Sequence, residues 1–139
     1  MKGQELKQRI DSLNQNRTEK VELIDNCFLL RFKDVQIFQN AGVNSESPAW
    51  ALDRLSILDL KIYQMKAETA RRDASGGQIE KCLGKLNILY EQYGDLCLSI
   101  NELIRDISKG VKLMKVFRQM KMTLISIQYC INLRNNGEY

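Results

Sequence analysis

One apolar seam limits what this chain can fold into more than any other feature. Between Ile79 and Ile107, apolar residues fall at Ile79, Leu83, Leu86, Tyr90, Tyr93, Cys97, Ile100, Ile104 and Ile107, in alternating steps of four and three. Cys82, Leu89, Leu96 and Leu103 recur every seven residues beside it. Three apolar positions per heptad make a broad helical face, wider than the seam of an isolated coiled coil. Ser75-Gly-Gly-Gln78 has the form of a capping box ahead of that face. Gly110 is a stop signal after it. These marks predict a helix over about residues 77–109.

Three more segments have helical periods. Leu6, Ile10, Leu13, Val21, Ile24, Phe28, Val35 and Phe38 mark a first helix over about 4–39, interrupted by Asn14 and Arg17 where the seam asks for apolar groups. The stretch around Gly42 reads as a loop. Ser47-Pro48 then signals a helix start, with serine as cap and proline in the first turn. The helix that follows, about 48–73, carries Leu55, Leu58, Ile62 and Met65 on one side, and Trp50, Ile57 and Leu60 on another among Asp53, Lys61 and Gln64. A helix apolar on two sides is packed on two sides, and its interspersed charges need partners. A last helix over about 112–133 has the seam Leu113, Phe117, Met120, Leu124, Ile127, Ile131, with Val116, Met122, Ile125 and Tyr129 outside it. The single proline and the abundance of Leu, Ile, Lys, Glu and Gln agree with helix throughout. The expectation is an all-α fold: one domain over 1–139, an antiparallel four-helix bundle with long helices. Its surplus apolar surface predicts a homo-oligomer.

The sequence excludes several chemistries. It has no histidine, which removes Ser/His, Cys/His and Glu-x-x-His arrangements. Cys27, Cys82, Cys97 and Cys130 are widely spaced and lack a C-x-x-C pair, so they read as small buried hydrophobes and no metal site is expected of them. Gly77, Gly84 and Lys85 lie inside the best helix, and Leu86 stands where a phosphate loop has Ser or Thr. Glu19, Glu22 and Asp25 have the E-x-x-E spacing that can hold Mg²⁺, yet they read as a solvated acidic face. No cofactor is implied. No apolar run approaches the ~20 residues of a membrane span, and the start MKGQELKQRID does not read as a signal peptide. The expected compartment is the cytoplasm.

Residues 105–139 hold 7 basic and 2 acidic side chains, a balance of +5 within a chain of net +4. That quarter is a candidate anion-facing surface. Few aromatic groups are interleaved with its charges, which argues against nucleic acid. The candidate ligand-binding residues are Asn14, Arg17, Asp53, Arg54, Arg118 and Lys121. Arg17 in a seam needs a carboxylate, and Asp53 has the most similar setting, so the two are expected to meet. A fully buried pair would cost about 3–5 kcal/mol to break by Arg17→Ala.

Four stretches carry a family resemblance: V-N-S-E-S-P-x-x-x-L-D-R-L-S-I-L-x-L-K-I-Y over Val43–Tyr63, R-I-D-S-L-N-Q-N-R over Arg9–Arg17, K-C-L-G-K-L-N-I-L over Lys81–Leu89, and K-V-F-R-Q-M-K-M over Lys115–Met122. In this order they resemble a bacterial domain of unknown function, number forty-two fifty-four. The resemblance implies a helical fold and a genomic setting near cell-surface polysaccharide glycosyltransferases, and it implies no reaction. Members of that family carry an N-terminal region with a Trp-His-Glu/Asp motif, and this chain is expected to begin after it. Ala49, Gln64 and Thr123 stand where many members have Gly, His and Tyr, so any chemistry that uses those groups is not expected here.

Three readings follow. The first is a cytoplasmic bundle that self-associates and binds a partner protein or an anionic small molecule. The second is an enzyme acting on a phosphorylated or nucleotide-linked sugar, with Arg17, Asp53, Arg54 and Arg118 or Lys121 lining its site. The third is a nucleic-acid accessory protein using the basic last helix.

Overall fold

Local signals set the helix ends. The computed structural model describes residues 2–73 and 75–116. It contains α1 (Lys2–Arg31), β1 (Gly42–Val43), α2 (Pro48–Thr69), α3 (Gly76–Ser108) and β2 (Lys112–Leu113). Ser47 caps α2, with Pro48 in the first helical turn. Ser75 and Gln78 close the capping box of α3 in both directions, each side chain bonding the other's backbone N–H. At the far end of α3, the Val111 N–H donates to the Asp106 carbonyl at 2.9 Å and the Gly110 N–H to the Ile107 carbonyl at 3.1 Å. This is a Schellman closure, and it needs Gly110 at φ 73. A Cβ on Gly110 would also lie 2.0 Å from the Gln36 carbonyl oxygen.

That close approach explains where the expected first helix fails. The helix ends at Arg31, not near residue 39, although Val35 and Phe38 keep its period. The Phe38 N–H donates to the Gly110 carbonyl at 3.0 Å, and the Gly42 N–H to the Val111 carbonyl at 3.1 Å. The backbone after Phe32 is thus committed to the end of α3. It continues into a parallel β1–β2 pair, Gly42 opposite Lys112 and Val43 opposite Leu113. The expected last helix is corrected at its start for the same reason, since Lys112 and Leu113 form a strand. Its seam from Phe117 onward lies outside the described residues. Among the described residues the helices number three, and the fold is all-α apart from the short strand pair.

The helices α2 and α3 form a hairpin. Glu68 and Lys85 share one surface cleft near the turn, and Trp50 and Ser99 share another farther away, so the two helices run antiparallel. Leu58, Ile62 and Leu86 are its buried cluster, with Met65, Leu89, Tyr93 and Leu96 packed around them. Ile100, Leu103 and Ile107 extend the buried face of α3. The expected stripe of α2 is therefore the one that packs. The second stripe is left open: Ile57 and Leu60 are exposed. On α1, only Val21 and Asp25 are buried.

Candidate functional site: two carboxylate clamps and a groove

Two carboxylates fasten α1 across the first half of α2. Asp25 is 1% exposed. Its Oδ2 accepts the Ser47 hydroxyl at 2.5 Å, and its Oδ1 accepts the Ala49 N–H at 3.0 Å. The Ser47 oxygen in turn accepts the Trp50 N–H at 3.3 Å. The unpaired N–H groups that begin any helix are met here by a cap from α2 itself and a carboxylate from α1, whose charge suits the helix dipole. The second clamp is two-pronged. Arg17 Nε and Nη2 donate to Asp53 Oδ1 and Oδ2 at 2.5 and 2.6 Å. Such a planar fork is the strong geometry for a guanidinium and a carboxylate. The Asp53 bond holds the Arg17 pKa above its ordinary value, its charge adds to that, and burial opposes it.

The expected Arg17–Asp53 contact is present, but it is not fully buried. The Arg17 side chain is 43% exposed and that of Asp53 12%. Solvent therefore screens part of the attraction. Arg54 does not join them. It pairs with Glu46, which raises the Arg54 pKa chiefly through the hydrogen bond. Asn14 is exposed, and its backbone carbonyl accepts the Thr18 hydroxyl. Arg118 and Lys121 lie outside the described residues.

The site has two open sides. Toward α1, the Arg17–Asp53 fork borders a cleft of about 460 Å³, lined also by Val21 and Ala49. Toward α3, Asp53 and Arg54 border a groove of about 740 Å³, with Trp50, Ile57 and Lys61 on one wall and Asp95, Leu96 and Ser99 on the other. Of the charges along this groove, Asp53 and Arg54 are neutralised by Arg17 and Glu46. Lys61 and Asp95 have no partner among the described residues.

The expected solvated acidic face of Glu19, Glu22 and Asp25 is corrected at Asp25: it stands four residues after the buried Val21, on the side of α1 that meets α2, and is buried there. Of those, Glu19 accepts the Gln15 side chain at 3.1 Å. Among the described residues, no group of three or more His, Cys, Asp or Glu is placed to hold a metal ion. No helix among them is long and apolar enough to cross a membrane.

Fold and site together define a mainly helical protein in which one long helix is clamped by carboxylates over a helical hairpin. The chain belongs to the family described as "Protein of unknown function (DUF4254)", whose model matches residues 2–116. No curated protein and no solved structure matches the chain.

Proposed function

We propose that this is a self-associating helical-bundle protein whose α2–α3 groove receives a small ligand bearing an anionic group. One observation carries the association. Large apolar side chains are open on two sides of α1: Leu6 and Ile10 on one, Leu23 and Leu30 roughly 100° or more around the helix. A fourth helix beginning near Phe117 would complete an antiparallel four-helix bundle, but a single added helix reaches only one of these sides. The side left open, which we assign to Leu6 and Ile10, then needs a second copy. Lys61, a cation in the groove with no partner among the described residues, supports the anionic ligand. The free thiols Cys27, Cys82 and Cys97 fit a reducing compartment and support a cytoplasmic setting. Light scattering at micromolar concentration tests the association. The expected mass is at least twice 16.1 kDa, and 16.1 kDa throughout would overturn it.

A further inference from the structure

The groove is longer than the cleft at Trp50. That cleft runs from Glu46 and Trp50 to Lys61 and Gln92, and a second runs from Lys61 and Gln92 to Glu68 and Lys85. Because both are lined by Lys61 and Gln92, they make one groove between α2 and α3. From Trp50 to Glu68 it extends roughly 27 Å at helical rise. Ile57 and Ile88 on its walls are exposed. The described residues stop at its mouth. Strand β2 runs parallel to β1 with Leu113 opposite Val43. Past that pair, Lys112 Nζ donates to Asn44 Oδ1 at 3.3 Å. Three residues beyond the pair stand Val116 and Glu46, and Glu46 lines the groove. Residues 117–133, outside the described residues, hold the seam Phe117, Met120, Leu124, Ile127 and Ile131, and Met122 to Leu133 carry no charge. At helical rise the seam is roughly 21 Å long, which fits within the groove. An uncharged stripe of that length is favoured where it leaves water. We infer that residues 117–133 pack along the α2–α3 groove of their own chain, parallel to α2 and antiparallel to α3. The seam begins one residue after Val116, which leaves no link long enough to reach the Lys85 end first, so the segment enters at Trp50. Neither Leu6 nor Ile10 lines the groove, so this packing leaves them to a second copy. The inference does not rest on the ligand reading; a ligand at the Trp50 end would be enclosed beneath the segment.

Cys130 reports the position of the segment. At helical rise it stands roughly 21 Å beyond Val116, level with Lys61 and Gln92. The full chain, with Cys27, Cys82 and Cys97 changed to alanine, carries Gln92→Cys and is treated with a short bismaleimide. Gln92 is exposed, so the helix tolerates the change. The introduced thiol and Cys130 are expected to join within one chain. Leu124→Asp, which puts a charge in the seam, should abolish that product. Tyr63→Cys, exposed on α2 but outside the groove, should give none. Trp50 is the only tryptophan of the chain and lines the groove, so its emission gives a second reading. Acrylamide should quench it more strongly in Leu124→Asp than in the wild type. Joining only between chains would overturn the inference and put a second copy's segment in the groove. No product at Gln92→Cys, an equal product at Tyr63→Cys, or quenching that Leu124→Asp leaves unchanged would also overturn it.

Discussion

The helix α1 and the α2–α3 hairpin both carry long apolar seams, yet different forces hold them. In the hairpin the seams meet each other, and Leu58, Ile62 and Leu86 are buried between them. In α1 the seam meets little: Leu6, Ile10 and Leu13 are exposed, and the helix is fastened by Asp25 and the Arg17–Asp53 fork. Apolar burial is diffuse and tolerant of small shifts, whereas two carboxylate clamps fix one register. The hairpin is therefore the stable unit, and α1 is a positioned arm whose apolar side is left uncovered by the described residues.

This contrast can be broken first in the hairpin. Ile62→Ala removes a buried side chain from the cluster and should destabilise by about 2–4 kcal/mol in urea unfolding. If the loss were under about 0.5 kcal/mol, the hairpin would not be the main source of stability. Asp25→Ala comes next. It strands the Ala49 N–H and the Ser47 hydroxyl at a buried helix start, and should cost about 2 kcal/mol. Hydrogen exchange should show the first turn of α2 opening while Leu86 and Ile100 in α3 stay protected, because the clamp acts locally.

Arg17→Ala should cost less, about 1 kcal/mol, since the fork is partly exposed and screened. A loss of 3–5 kcal/mol would mean that the pair is buried in solution by something beyond the described residues. The smallest effect concerns the turn between α2 and α3. Arg71 donates to Asp73, which holds the Asp73 carboxyl below its ordinary value of 3.8. A carboxyl lowered by folding stabilises the folded state above its unfolded pKa, and that contribution disappears as pH falls through the lower folded value. The wild type should therefore exceed Asp73→Asn slightly at pH 5, with the gap closing below about pH 3.8. A gap that widens on acidification would contradict the assignment.

The starts of α2 and α3 and the end of α3 were legible in the sequence because their signals are local. Ser47-Pro48, Ser75 with Gln78, and Gly110 each act within a few residues, and all three stand where expected. The seam of α3 was legible because a repeated period has few other uses. The end of α1 was not. Val35 and Phe38 prolong its period, and only the distant Gly110 and Val111 carbonyls draw that backbone away. The β1–β2 pair is hidden for the same reason, since neither two-residue strand has a period of its own. The Arg17–Asp53 contact followed from the need of a seam arginine for a carboxylate, but its exposure depends on how far α1 leans from α2, which no local pattern encodes. Arg54 found Glu46, a partner eight residues earlier in the chain, while still bordering the α2–α3 groove, and no local pattern marks that pairing.

The account turns on α1 offering an apolar face to a second copy. Light scattering of Ile10→Glu beside the wild type, with helicity followed by circular dichroism, tests this most directly. Ile10 is half exposed, so the change should leave the folded chain intact while placing a charge in the interface. The account predicts a wild-type mass of at least twice 16.1 kDa, and a variant at 16.1 kDa with unchanged helicity. A wild type at 16.1 kDa, a variant that keeps the larger mass, or a variant that loses its helicity would contradict it.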